Sequence, residues 1–303
     1  MATELLGRME VSDPAEAEHG QLSPWLAGAW VACGVVLLYV YRAVLFDLWT
    51  VWTTQQDYSH GLLVAPFAAY LIWRVRDKWS GIRPQPSWVG AGLLVAALLI
   101  RVVGVRCYYG SLERLSLIIG VSGLVALLGG LRVLRSWTGP LLFLLLMLPP
   151  PQSVAAAITL PLQLFAARAS AGVLDMMGWE VVREGNVLRL PLQSLGVVEA
   201  CNGLRMVFAI VTLGVAGVIG FLGHRPLWER LALLLSTVPL AIGVNVVRIV
   251  VTGMVSEVWS GHVSTGRVHD VTGWLMMPAA LTVLWLEQRF LRRLFFDASR
   301  RSG

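Results

Sequence analysis

The sequence predicts an all-α polytopic membrane protein of about eight transmembrane helices, with an amphipathic helix and a short β-hairpin on the outer face. Three observations lead there. Of 303 residues, 56% are hydrophobic and 14% charged, against about 25% charged in a soluble domain. Mean hydropathy is +0.70, more apolar surface than one soluble core hides. The apolar residues also fall in runs near the length of about 20 that a helix needs to cross the hydrocarbon, with Lys and Arg gathered between alternate runs.

Taken in order, the predicted spans are 25–46, 60–75, 88–106, 114–131, 137–150, 202–222, 230–254 and 273–290. The second and fifth are short. Before the first lies an acidic, polar tail over residues 1–24, unlike a signal peptide, which needs a basic start and an early apolar core. The domain reading is therefore a flexible N-terminal tail at 1–24, one transmembrane domain at 25–290 and a basic tail at 291–303. Residues 151–178 carry Arg168 and Asp175 in an apolar frame and read as an amphipathic interfacial helix. After it, EGNVLRLPLQSLGVVEA alternates as a β-hairpin does.

The net charge of +6 is read as topology, because Lys and Arg concentrate on cytoplasmic loops. Arg74, Arg76, Lys78 and Arg83 form one basic segment, and Arg132 with Arg135 another. Arg225 and Arg230 form a third, and the chain beyond Glu287 a fourth. All four share one side if eight spans are counted and 151–200 stays outside. Both termini are then cytoplasmic, while 47–60, 151–200 and 256–272 face outward. No basic stripe interleaved with aromatics is present, so nucleic acid is not an expected partner. The expected surroundings are the lipid bilayer.

The unusual polar residues fall on the outward segments. In GVVEACNGLRM, Cys201 opens a helix, where free N–H groups and the positive dipole end favour a thiolate. Glu199 and Arg205 flank it, with Asn202 and Gly203 between. Cys33 and Cys107 read as small apolar packers. Arg248 lies inside AIGVNVVRIVVTGM, one turn from Asn245. At mid-span an arginine costs about 2.5–3.5 kcal/mol and is normally paired or lines a polar cavity; snorkelling is the alternative. His269, beside Asp270, precedes the last span and is a general acid or base near neutral pH. Asp57, Tyr58 and His60 form a polar cap on the outer end of the second span. They either cap that helix or join the same polar site. His60, His262 and His269 lack a close zinc spacing, so no metal and no other cofactor is expected.

DYSHG before an apolar span ending in WR, the EGNVLRLP hairpin, EACNG opening a helix, NVVRI and a later His before the last span occur in that order between Trp49 and Trp285. This order resembles the exosortase group of the exosortase/archaeosortase family. The resemblance implies a membrane-embedded cysteine transpeptidase in the bacterial cytoplasmic membrane, with its active site on the outer, periplasmic face. Its partners are membrane-anchored proteins ending in a Pro-Glu-Pro-type motif, an apolar helix and a basic tail, and a surface acceptor, polysaccharide or lipid. Carried over by motif, the catalytic roles fall on Cys201, Arg248 and His269. Glu199, Asn202, Gly203, Arg205, Asn245, Asp57, Tyr58 and His60 form the supporting set. The family motif resembles Cys-Ser-Gly, and here Asn202 stands where the serine is. Glu199 orients either His269 or Arg205; the sequence leaves both open. Two readings from other classes compete. One is a transporter or lipid flippase with Arg248 in its pathway. The other is an intramembrane metalloprotease using His60, His262 and His269.

Overall fold

The computed structural model describes residues 24–76, 85–192, 194–196, 203–221, 226–258, 275 and 278–290. The helices are α1 (Pro24–Val40), α2 (Arg42–Thr54), α3 (Gly61–Arg74), α4 (Trp88–Arg106), α5 (Gly110–Leu128) and α6 (Leu131–Leu144). They continue as α7 (Gln152–Met176), α8 (Gly203–Phe221) and α9 (Leu227–Val258), and α10 covers 278–290. Short 3-10 turns occupy Gln56–Tyr58 and Leu145–Met147. Between α7 and α8, strands β1 (Val182–Glu184), β2 (Val187–Arg189) and β3 (Ser194–Gly196) form an antiparallel sheet in the order β1-β2-β3. The expected hairpin is present, begins earlier than its alternation indicated, and gains a third strand.

Among the described residues, four helices are long and apolar enough to cross a membrane: α4, α5, α7 and Leu227–Val255 of α9. The bent pair α1 and α2 makes five if it counts as one span. The chain is therefore a mostly helical, polytopic type, with four or five candidate crossings where eight were expected. α3 and the stretch Phe208–Gly220 of α8 are apolar but shorter. The reading of 151–178 as an amphipathic interfacial helix needs correction. α7 buries Ala166, Ala167, Ser170 and Leu174, yet Val154, Ile158, Leu160 and Phe165 are exposed. A helix apolar on both its covered and uncovered sides belongs in lipid or a large core rather than at an interface.

The chain divides into two compact units. The first is Met1–Val44 with Ile72–Thr138. Its centre is the antiparallel pair α4 and α5. Ser87 begins α4 in an extended conformation and accepts the Val89 N–H at 3.3 Å, an ordinary N-cap. The two helices approach backbone to backbone at Gly90 and Gly123. A Cβ on Gly90 would run into the Leu127 backbone, and one on Gly123 would lie 2.9 Å from Leu94 N. Small residues allow this closeness where lipid offers no hydrophobic drive between helices. Tyr41 is buried beneath them, donating its hydroxyl to the Ser116 carbonyl at 3.1 Å. The Arg101 guanidinium lies 4.9 Å from the Tyr41 ring centroid, at cation–π range.

The second unit is Leu45–Leu71 with Gly139–Gly303. In it α8 and α9 pack antiparallel, α7 lies against α9, and the sheet covers α7 and α9. Gly185, at φ +64°, supplies the positive φ that the two-residue β1–β2 loop needs at its first position. The pleat then turns Leu188 and its cross-strand partner Leu195 inward. These two and Leu190 join Ala166, Ala167 and Leu174 of α7 and Ile249 and Val250 of α9 in one apolar core.

Gly90→Val tests the first unit. The added branches force α4 from α5, and overpacking of this kind costs about 1–3 kcal/mol. The expected result is a lower thermal midpoint in detergent, while Gly92→Ala, where a Cβ meets nothing within 4 Å, does not lower it.

Candidate active site

The site is best built from the register of α8 against α9. A Cβ on Gly214 of α8 would strike the Thr237 side chain of α9, so these two residues face each other. One turn toward the start of α8, Ile210 packs with Ala241, one turn further along α9. Equal steps in opposite directions define the antiparallel pairing. Another two turns bring Gly203, the first residue of α8, level with Arg248. Thr237, Ala241 and Arg248 also share a helix face, because separations of four and seven residues close on whole turns. Arg248 thus lies on the α8-facing side of α9, at the height where α8 begins.

Its burial agrees. Arg248 is 4% exposed, with Asn245 at 5% one turn before it and Thr252 at 0% one turn after. Together they form a buried polar stripe along the second half of α9. The Asn245 Oδ1 and Thr252 Oγ1 make no hydrogen bond with the described residues. A snorkelling arginine carries its head into water, and the buried head of Arg248 does not fit that alternative.

Cys201, Asn202, Glu199, His262 and His269 lie outside the described residues. Gly203 and Arg205 are described as backbone in the first turn of α8, with no account of the Arg205 side chain. In the chain Cys201 precedes Gly203 by two residues and follows Gly196 by five. Gly196 ends β3, whose Leu195 shares an apolar core with Ile249 and Val250, next to Arg248 in sequence. Both flanks of the 197–202 segment therefore lead to one level of α9. A helix N-terminus and a guanidinium both favour an anion.

The DYSH segment reaches the same end of α8. The His60 ring stacks on Phe208 with centroids 5.8 Å apart, and Tyr58 packs on Phe208 at 6.3 Å. Phe208 stands about 7.5 Å along the axis from Gly203. His60 has a structural task as well. Pro149, Pro150 and Pro151 have no N–H, so the carbonyls of Leu145, Leu146 and Met147 lose their helical donors. The Leu148 N–H serves Leu145 at 3.2 Å. His60 Nε2 donates to Leu146 at 3.1 Å and Trp52 Nε1 to Met147 at 3.0 Å. The carbonyl acceptor assigns the proton to Nε2. His60 Nδ1 is buried and makes no well-aligned hydrogen bond with the described residues.

Spacing of apolar residues does not reveal this pairing of tryptophan and histidine with a proline run. The prolines themselves are the signal that donors are needed. Among the described residues, no three His, Cys, Asp or Glu side chains gather as metal ligands. His60 is in the turn before α3, and desolvation lowers its pKa from 6.5, opposed by the Leu146 and Asp57 carbonyls.

The native protein with neutral His60 therefore binds fewer protons than the unfolded chain, and stability rises with pH. This contribution is complete above 6.5 and is lost as pH falls through 6.5 toward the lowered value. In thermal scans in detergent, the midpoint is expected to fall on acidification through this window. A His60→Gln variant, which keeps a donor but does not titrate, is expected to lose part of that pH dependence.

Comparison with known proteins bears on the whole constellation. A family model described as transmembrane exosortase matches residues 52–286, more than three quarters of the chain. No curated protein and no solved structure matches. The matched region holds DYSH, the sheet, the α8 start and Arg248, and the chain belongs to the transmembrane exosortase family.

Proposed function

We propose that this protein is a cysteine transpeptidase that cleaves the C-terminal sorting signal of membrane-anchored proteins and passes them to a surface acceptor. The observation that carries the reading is the buried Arg248, facing α8 at the level where α8 begins, two residues after Cys201. A cation and a helix N-terminus directed at one region stabilise a thiolate and later an oxyanion. The depth fits an outer-face site in the cytoplasmic membrane. Arg248 follows Leu227 by 21 residues, about 31 Å of helix at 1.5 Å per residue, close to the roughly 30 Å of hydrocarbon. With the Leu227 end at the cytoplasmic boundary, Arg248 reaches the periplasmic one.

The chemistry follows in two displacements. The Cys201 thiolate adds to the carbonyl carbon of the scissile peptide bond, and Arg248 with the α8 N–H groups holds the oxyanion. Collapse breaks the C–N bond, with His269 donating a proton to the leaving amine. That leaves a thioester. His269 then takes the proton of an acceptor hydroxyl or amine as it attacks the thioester, and the thiolate leaves. Where the acceptor is water the outcome is hydrolysis. Glu199, Asn202 and Arg205 flank the nucleophile, Asn245 continues the polar stripe, and Asp57, Tyr58 and His60 support the first turns of α8 through Phe208. Asn202, beside the thiolate, acts as a cap or an oxyanion donor.

The test is processing, in membranes, of a reporter ending in a Pro-Glu-Pro-type motif, an apolar helix and a basic tail. Cys201→Ala is expected to abolish shortening of the reporter while the protein stays folded. Arg248→Lys is expected to reduce turnover by roughly 10²–10³, the range for losing an oxyanion donor. Shortening that persists in Cys201→Ala and stops with chelator would replace the thiol mechanism with a metal-dependent one.

A further inference from the structure

α9 extends to Val258, beyond the span of 230–254 that hydropathy predicted, and this makes Glu257 helical rather than part of an outer loop. Glu257 is 8% exposed. It lies in the last turn, where unpaired carbonyls form the negative end of the dipole and a carboxylate is disfavoured. Its Oε1 accepts the backbone N–H of Leu192 at 2.9 Å. Its Oε2, also buried, makes no hydrogen bond with the described residues. A carboxyl group at the disfavoured end of a helix is thus joined to a chain segment 65 residues away.

Leu192 belongs to the link between β2 and β3. Just before it, Leu190 Cδ1 lies 3.5 Å from where a Cβ on Gly253 would stand, so the link runs directly over α9. Leu188, Leu190 and Leu195 supply the apolar part of this docking on Ile249 and Val250. Apolar contact is non-directional and permits small slides. A hydrogen bond is directional and weakens steeply away from a linear geometry. The Glu257 contact fixes where the sheet sits along α9, and the sheet leads, five residues beyond Gly196, to Cys201.

We propose that Glu257 is a positioning residue: by holding the Leu192 N–H it sets the sheet on α9 and so the approach of Cys201 to Arg248. The inference rests on the reading of Cys201 and Arg248 as reaction partners. Its test uses the full chain in membranes and the sorting-signal reporter. Glu257→Ala is expected to lower kcat about 10- to 100-fold, as a small misplacement of reacting groups does, with KM little changed. It is also expected to move the pH profile of Cys201 alkylation by iodoacetamide upward, because the thiolate loses its cation. Glu257→Gln keeps an oxygen acceptor and is expected to restore most of kcat and the wild-type alkylation profile. Glu257→Asp, which withdraws the acceptor by one methylene, gives an intermediate kcat if the alanine variant fails to fold. Wild-type kcat in the Asp and Ala variants overturns the inference. So does a Gln variant as impaired as Ala, which assigns the effect to charge. Cys201→Ala in the same assay separates the two levels: processing by that variant removes the cysteine reading itself, whatever Glu257 does.

Discussion

The close packing of α8 on α9 is the constraint on which the candidate site depends. Gly214 leaves no side chain between the helices, so Thr237 comes against the α8 backbone. Any side chain at 214 would widen that contact. The consequence reaches beyond the contact point, because a helix is a ruler. Once 214 is opposite 237 and 210 opposite 241, the height of Arg248 relative to the α8 start follows from rise per residue alone.

A second constraint comes from burial. A buried backbone group that leaves a helix ladder needs a partner from the protein. The prolines at 149–151 end a helix abruptly and release three carbonyls, which Leu148, His60 and Trp52 meet. This ties the 52–60 segment to the end of the 3-10 turn. The same tie brings Tyr58 and His60 onto Phe208, near the start of α8. His60 is therefore explained first as a donor to Leu146, and its link to the site runs through ring packing.

The sheet extends the same logic. With three residues in each strand it has little strength of its own. It gains its place from Leu188, Leu190 and Leu195 buried on α7 and α9, and from the carboxylate of Glu257. The sheet thereby shares one apolar core with Ile249 and Val250 of α9.

The sequence by itself determined the class of the protein, the existence of most helices, the hairpin and the polar residues that stand out. Hydropathy and period carry that information directly, since each residue reports its own affinity for lipid. The motif order also pointed to the family, and the family model covers the same region. Tertiary structure decided the rest. α7 has the composition of an interfacial segment by its Arg168 and Asp175, yet its apolar residues surround it, which shows only once burial is known. The end of α9 was hidden because an acid in an apolar run reads as a loop until the Leu192 N–H is found on it. Register between α8 and α9 was equally invisible, for it is set by one glycine meeting one threonine. Contacts between residues far apart in the chain leave no periodic trace, and the candidate site is made of such contacts.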